Sequence, residues 1–107
     1  MKDNVSKVKQ ILFIQKKLLF VYMFLIKNKL PKRTNIHDLH REYIAYVSDK
    51  ASTKFIYGKY PFANVIQDFG VRRLRTKGPT AWKQPDKYDP QDLVDLINYH
   101  SEVIKDG

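Results

Sequence analysis

Residues 5 to about 29, VSKVKQILFIQKKLLFVYMFLIKNK, limit the possible folds more than any other stretch. Val5, Val8, Leu12, Leu19, Tyr22 and Ile26 recur at helical spacing, which predicts one long α-helix. Within it, LLFVYMFLI is apolar on every face for nine residues. That run is too short to span a bilayer, and Lys16 and Lys17 interrupt any longer reading. The KNKLPKR that follows offers no small-residue cleavage site, so a secretory leader is not expected either. The spacing predicts a central core helix. Being apolar all round, it is also expected to turn a second face to a partner, which implies a homodimer through residues 5–29.

The rest of the chain reads as shorter elements with clear punctuation. Leu30-Pro31 ends the first helix, because the residue before a proline is steered away from helical angles. A second helix is expected from about 36 to 49, capped by Thr34 or Asn35, with Ile36, Leu39, Tyr43, Ile44 and Val47 on one face. STKFIYGKY then reads as a connection with a short strand at Phe55 to Tyr57. YPFANVIQDFG predicts a third helix with Pro61 in its first turn and Gly70 just past its end. Phe62, Val65, Ile66 and Phe69 form its buried stripe, and Ala63, Asn64 and Gln67 its exposed face. VRRLR and TAWK, joined by a turn at TKGP, predict a two-stranded hairpin. A fourth helix covers 89–105, with Asp89 as cap, Pro90 as first residue, and Leu93, Leu96, Ile97 and Ile104 on one face.

One domain spanning 1–107 suits the length. The chain has no cysteine, so disulfides, zinc thiolate sites and thiol catalysis are excluded. An intracellular, non-secreted setting is the expectation. Charge is more informative. The net charge is +9, and it is distributed in blocks. Residues 1–33 carry nine Lys/Arg against Asp3, and residues 50–83 carry eight against Asp68 alone. Residues 34–49 and 84–107 are net acidic. Two concentrated positive sources favour a polyanionic partner, nucleic acid first.

Helix, helix, helix, hairpin, helix is the order of a mainly α, winged helix-turn-helix domain. In that arrangement the third helix enters the major groove and the wing reaches the backbone or minor groove. Asn64 and Gln67 carry amides able to pair with the N6/N7 edge of adenine, with the small Ala63 between them. Lys59 stands at the helix start, where free N–H groups also favour anions. In the hairpin, strand alternation puts Arg73 and Arg75 on one side and Arg72 and Leu74 on the other. With Leu74 inward, Arg73 and Arg75 face solvent, Lys77 stands at the tip and Lys83 returns on the second strand. The candidate DNA-binding set is therefore Lys59, Asn64, Gln67, Arg72, Arg73, Arg75, Lys77 and Lys83. Trp82 is expected to be a core residue beneath the wing.

Residues 34–83 resemble the winged-helix domain at the C-terminus of phage, plasmid and poxvirus-type primase-helicases. The likeness rests on LHREYIAYV, on KYPFANVIQDFGVRRLR, and on a wing returning through TAW. It covers about half of the chain, and the ATPase and primase domains of that family are missing from it. The resemblance implies a free-standing DNA-binding module serving replication or transcriptional control in a virus or mobile element.

Other classes have less to rest on. His37 and His40 lie three apart on one helix, but His100 belongs to another, so a surface pair without a metal is expected. Asp92 and Asp95 suit the positive end of the fourth helix. With no phosphate-cradling glycine loop, nucleophile elbow or carboxylate set, neither an enzyme nor a cofactor is expected, and no small-molecule substrate. Two alternatives to duplex DNA remain open. One is a protein-interaction module using the apolar first helix. The other is single-stranded DNA or RNA binding, with Tyr57, Tyr60 and Trp82 as stacking platforms.

Overall fold

The computed structural model describes residues 2–28, 35–74 and 81–106, with side chains from Val5 onward. Four helices and one two-stranded antiparallel sheet follow in the order α1 (Lys2–Lys27), α2 (Ile36–Lys50), α3 (Lys59–Asp68), β1 (Arg72–Leu74), β2 (Ala81–Lys83) and α4 (Pro90–Asp106).

The core forms where α1, α2 and α3 meet. Leu18, Val21, Phe24 and Leu25 of α1 pack with Leu39, Tyr43 and Val47 of α2 and with Phe62, Val65 and Ile66 of α3. Tyr43 and Phe62 stack at 4.4 Å between centroids, and Phe24 approaches Tyr43 at 5.8 Å and Phe62 at 6.3 Å. Burying side chains of this size removes enough apolar surface to contribute about 1.5–3 kcal/mol each before entropy is counted. Ile44, placed by spacing on the inner face of α2, is exposed, because that face is centred on Leu39, Tyr43 and Val47.

Local chemistry sets the ends. Asn35 caps α2: its Oδ1 accepts from the Asp38 N–H at 2.9 Å, and its amide donates to the Asp38 carboxylate at 2.9 Å. Thr34, the other cap candidate, lies outside the described residues. α1 begins at Lys2 and stops at Lys27, short of residue 29. Two side chains satisfy its last carbonyls there. Asn28 Nδ2 donates to Phe24 O at 2.9 Å, and Gln84 Nε2 donates to Leu25 O and Asn28 O at 3.0 and 3.1 Å. The Gln84 bonds also tie the segment after β2 to the end of α1.

The strand expected at Phe55 to Tyr57 is absent. Thr53–Phe55 forms a single 3-10 turn capped by Ser52, and Ile56–Gly58 runs extended. Aromatic and β-branched residues favour extended backbone, but a strand needs a partner. Here the Tyr57 N–H donates to Tyr43 Oη at 2.9 Å instead. Tyr43 Oη lies 3.4 Å from the Phe55 carbonyl, to which it donates.

α3 ends in a Schellman motif. Phe69 is the cap, the Val71 N–H donates to Ile66 O at 3.0 Å and the Gly70 N–H to Gln67 O at 3.0 Å. Gly70 adopts φ +99°, a conformation that side-chain-bearing residues rarely reach. Val71 and Ile66, the two apolar residues of the motif, both lie in the core. This turn swings the chain from α3 directly into β1. A Gly70→Ala chain should therefore lose about 1–2 kcal/mol in urea unfolding, through backbone strain alone. A new Cβ would meet Pro85 only at ordinary contact distance, 3.5 Å, so steric clash adds nothing. An unchanged midpoint would show that the positive φ is not held.

α4 starts at Pro90 with Asp89 Oδ1 accepting from the Gln91 N–H at 2.9 Å. It runs antiparallel along α1, and Lys7 Nζ near the start of α1 donates to Lys105 O at the end of α4. Leu93, Leu96 and Ile97 pack against the core only in part, and α4 contains no fully buried residue. The α1–α4 pair makes the molecule long, 53 × 26 × 22 Å, with a radius of gyration of 14.9 Å. A compact chain of this length would have about 13 Å.

Candidate nucleic-acid interface

α3 offers the first half of the candidate surface. At 3.6 residues per turn, burial of Phe62, Val65 and Ile66 turns positions 60, 64 and 67 outward together. Asn64 and Gln67 are exposed, as their spacing implies. Tyr60 joins them at 78% exposure and was not in the sequence-derived set. Its i, i+4, i+7 relation to Asn64 and Gln67 was the available signal; from the sequence Tyr60 enters only as a stacking platform for single strands. Gln67 Nε2 donates to Ala63 O at 3.2 Å, which leaves its carbonyl oxygen and second amide hydrogen outward. Asp68 borders this face and is exposed as well.

Lys59 is the first residue of α3, and its ammonium donates to His37 Nδ1 at 3.2 Å, bridging the starts of α2 and α3. The two histidines therefore diverge. His37 meets Lys59, whereas His40 donates from Nε2 to Tyr57 O at 2.8 Å and packs on Phe62 at 5.4 Å. No group of three or more potential metal ligands occurs among the described residues.

The hairpin supplies the second half, with one correction. β1 and β2 pair with Arg72 opposite Lys83, Arg73 opposite Trp82, and Leu74 opposite Ala81. Directly opposed residues of an antiparallel pair project to the same face. Trp82 is 4% exposed and belongs to the core, so the core-facing side of the hairpin carries Arg73, which reaches solvent past it. Leu74 is half-buried and points the other way, with Arg72 and Lys83. Arg73 is exposed and Trp82 is core, as expected, but Leu74 and Trp82, both expected inward, lie on opposite faces, and it is Trp82 that joins the core. Arg72, Leu74 and Lys83 line an open cavity of about 530 Å³ together with Gly70, Gln84, Pro85 and Asp86. Arg75 and Lys77 lie outside the described residues.

Among the described residues, Lys59, Arg72, Arg73 and Lys83 take part in no ion pair. The pairs formed there are Arg41–Asp38, Lys50–Asp49 and Lys105–Glu102. Several cations of the N-terminal block are differently employed. Lys17 stands 4.0 Å over the Tyr57 ring and Lys16 4.8 Å over Phe55. Burial lowers the Lys17 pKa, consistent with a cation packed on the protein rather than offered to solvent.

The stacking platforms envisaged for single strands are mostly closed. Trp82 is core, as expected, and Tyr57 is 9% exposed, so of the three aromatics only Tyr60 presents a ring outward.

No model of a known protein family, no curated protein and no solved structure matches this chain. The functional reading therefore stands on the geometry. No helix among the described residues is long and apolar enough to cross a membrane.

Proposed function

We propose that this protein binds double-stranded DNA in the manner of a winged helix-turn-helix domain. α3 turns Tyr60, Asn64 and Gln67 to the major groove, and the hairpin sets Arg72 and Lys83 on the flanking backbone. One observation carries this reading: cations free of ion pairs, Arg72, Arg73 and Lys83, stand one tight turn away from an exposed amide-bearing helix face. Phosphate contacts position a protein on the duplex, while amides in the groove specify bases. The Schellman turn at Gly70 holds those two kinds of group in a fixed relation. Asp68 and Asp86 at the borders would repel phosphates and so limit how the duplex lies.

Fluorescence anisotropy with a labelled duplex, titrated from about 50 to 200 mM salt, tests the reading. Arg72→Ala with Lys83→Ala should weaken binding to every sequence and reduce the log–log salt slope by about two. Gln67→Ala should instead leave the salt slope unchanged and relax preference at one base pair by about 1–3 kcal/mol. Wild-type affinity and slope in the double variant would remove the hairpin from the interface.

A further inference from the structure

We propose that the face of α1 turned away from its own core carries a second copy of this chain, as a parallel two-stranded coiled coil. Val5, Val8, Leu12, Gln15, Leu19, Tyr22 and Ile26 follow one another at alternating intervals of three and four. Their mean spacing of 3.5 keeps them on one seam, within an arc of about 100°. Leu18, Val21, Phe24 and Leu25 point to the other side and fill the core, and Tyr22, at the edge of the arc, is half-buried with its ring 5.6 Å from that of Phe69. α4 also leaves the seam open, because Ile104 meets α1 beside Gln10, Phe13 and Ile14, away from that arc. Val5, Val8, Leu12, Leu19 and Ile26 are consequently 43–58% exposed in a single line. Lone exposed apolar residues are ordinary, but five in one line, interrupted only by the half-buried Gln15 and Tyr22, form a patch.

Size, polarity and charge favour a second copy over other occupants. From Val5 to Ile26 the seam is about 32 Å long, and a strip about 12 Å wide covers about 400 Å² per chain. Two such strips, with the flanking lysine stems, approach the ~1,000 Å² at which specific interfaces begin. That size suits a reversible, concentration-dependent dimer. Gln15 is the one polar residue in the seam. In a parallel pair it meets its own copy and the two amides can bond; in an antiparallel pair it faces Leu12 or Leu19 and is left unpaired. The flanks agree. Lys9 and Lys16 lie along one edge of the seam and the half-buried Ile11 along the other. A parallel pair sets the Lys16 stem across from Ile11, whereas an antiparallel pair sets lysine across from lysine. This dimer stands independently of the DNA reading. If both hold, the parallel arrangement brings the two helix–hairpin units to the same end, as two half-sites on one duplex require.

Sedimentation equilibrium of the full chain without DNA tests the proposal, together with cysteine cross-linking, which the cysteine-free background makes clean. The wild type should shift with concentration from 12.7 kDa toward twice that mass. Leu12→Lys with Leu19→Lys should weaken dimerisation at least about ten-fold while circular dichroism stays unchanged, since both side chains are exposed. Under mild oxidation, Val8→Cys should cross-link to itself. Cross-linking of Val8→Cys only when mixed with Leu19→Cys would replace the parallel arrangement with an antiparallel one. A monomer at every concentration would overturn the proposal, whether or not the chain co-sediments with anionic phospholipid vesicles. Such co-sedimentation by a monomer would assign the seam to a membrane surface. Because no DNA is present, either failure leaves the duplex-binding result untouched.

Discussion

Shortening Phe62 to alanine is expected to lower the free energy of unfolding by about 3–5 kcal/mol, the largest single-residue effect anticipated in this fold. Phe62 of α3 is fully buried and touches both α1 and α2. It stacks on Tyr43 of α2 at 4.4 Å with rings 17° from parallel, and meets His40 at 5.4 Å and Phe24 of α1 at 6.3 Å. Alanine would leave a cavity at the one point where the three core helices converge. Neighbouring rings are fixed by their own packing and can close it only in part. Since a domain of this size is stable by about 5–15 kcal/mol, such a loss takes a large share. Urea unfolding should show a lower midpoint with the same slope. Phe62→Leu, which keeps most of the volume, should cost less than half as much. A loss under about 1 kcal/mol in the alanine chain would contradict the packing described, because no collapse could hide a deletion this large.

The second large effect is alkaline. Tyr43 and Tyr57 are neighbours in the core, and burial pushes both phenols up to about 12. The Tyr57 N–H bond to Tyr43 Oη offsets part of this for Tyr43, and the nearby Tyr43 adds to it for Tyr57. Unfolded tyrosine titrates near 10. Between about pH 10 and 12 the unfolded chain therefore releases protons that the folded chain retains. Their stabilising contribution is complete below about pH 10 and is lost as the pH rises through about 12. Thermal midpoints should fall steeply over that interval, with the share of tyrosinate absorbance that belongs to Tyr43 and Tyr57 appearing at unfolding rather than before it. Tyr43→Phe separates this pair from the general loss of lysine charge. It should cost about 1–3 kcal/mol at neutral pH, because the buried Tyr57 N–H loses its acceptor. It should also make the alkaline decline shallower. An equally steep decline in Tyr43→Phe would mean that the buried phenols do not control it.

Much of the architecture was legible because short-range chemistry and periodicity carry it. The apolar recurrence in α1, the Asn35 cap, Pro61 near the start of α3, Gly70 past its end and the Asp89-Pro90 start of α4 are local signals. Each is resolved by bonds within a few residues. The failures share one cause, which is distance along the chain. Phe55 to Tyr57 has strand-like side chains, but its backbone donor is taken by Tyr43, fourteen positions away. At the end of α1 it is Gln84, 59 positions away, that donates to the Leu25 carbonyl.

The candidate interface divides the same way. The outward set of Asn64 and Gln67 follows from the apolar stripe of one helix, so spacing sufficed, and Tyr60 was available by the same rule. The hairpin differed. Alternation says that Arg72 and Arg73 point to opposite faces, but not which face is inward. Trp82 decides that, by sinking into a core built from α1, α2 and α3, and it thereby gives Arg72 and Lys83 the outward side. The seam on α1 is similar. Its heptad spacing is plain in the sequence, as is the choice of Val, Leu and Ile for it. Which face of an all-round apolar helix is left uncovered depends on where α2, α3 and α4 dock, and that is a property of the folded chain alone.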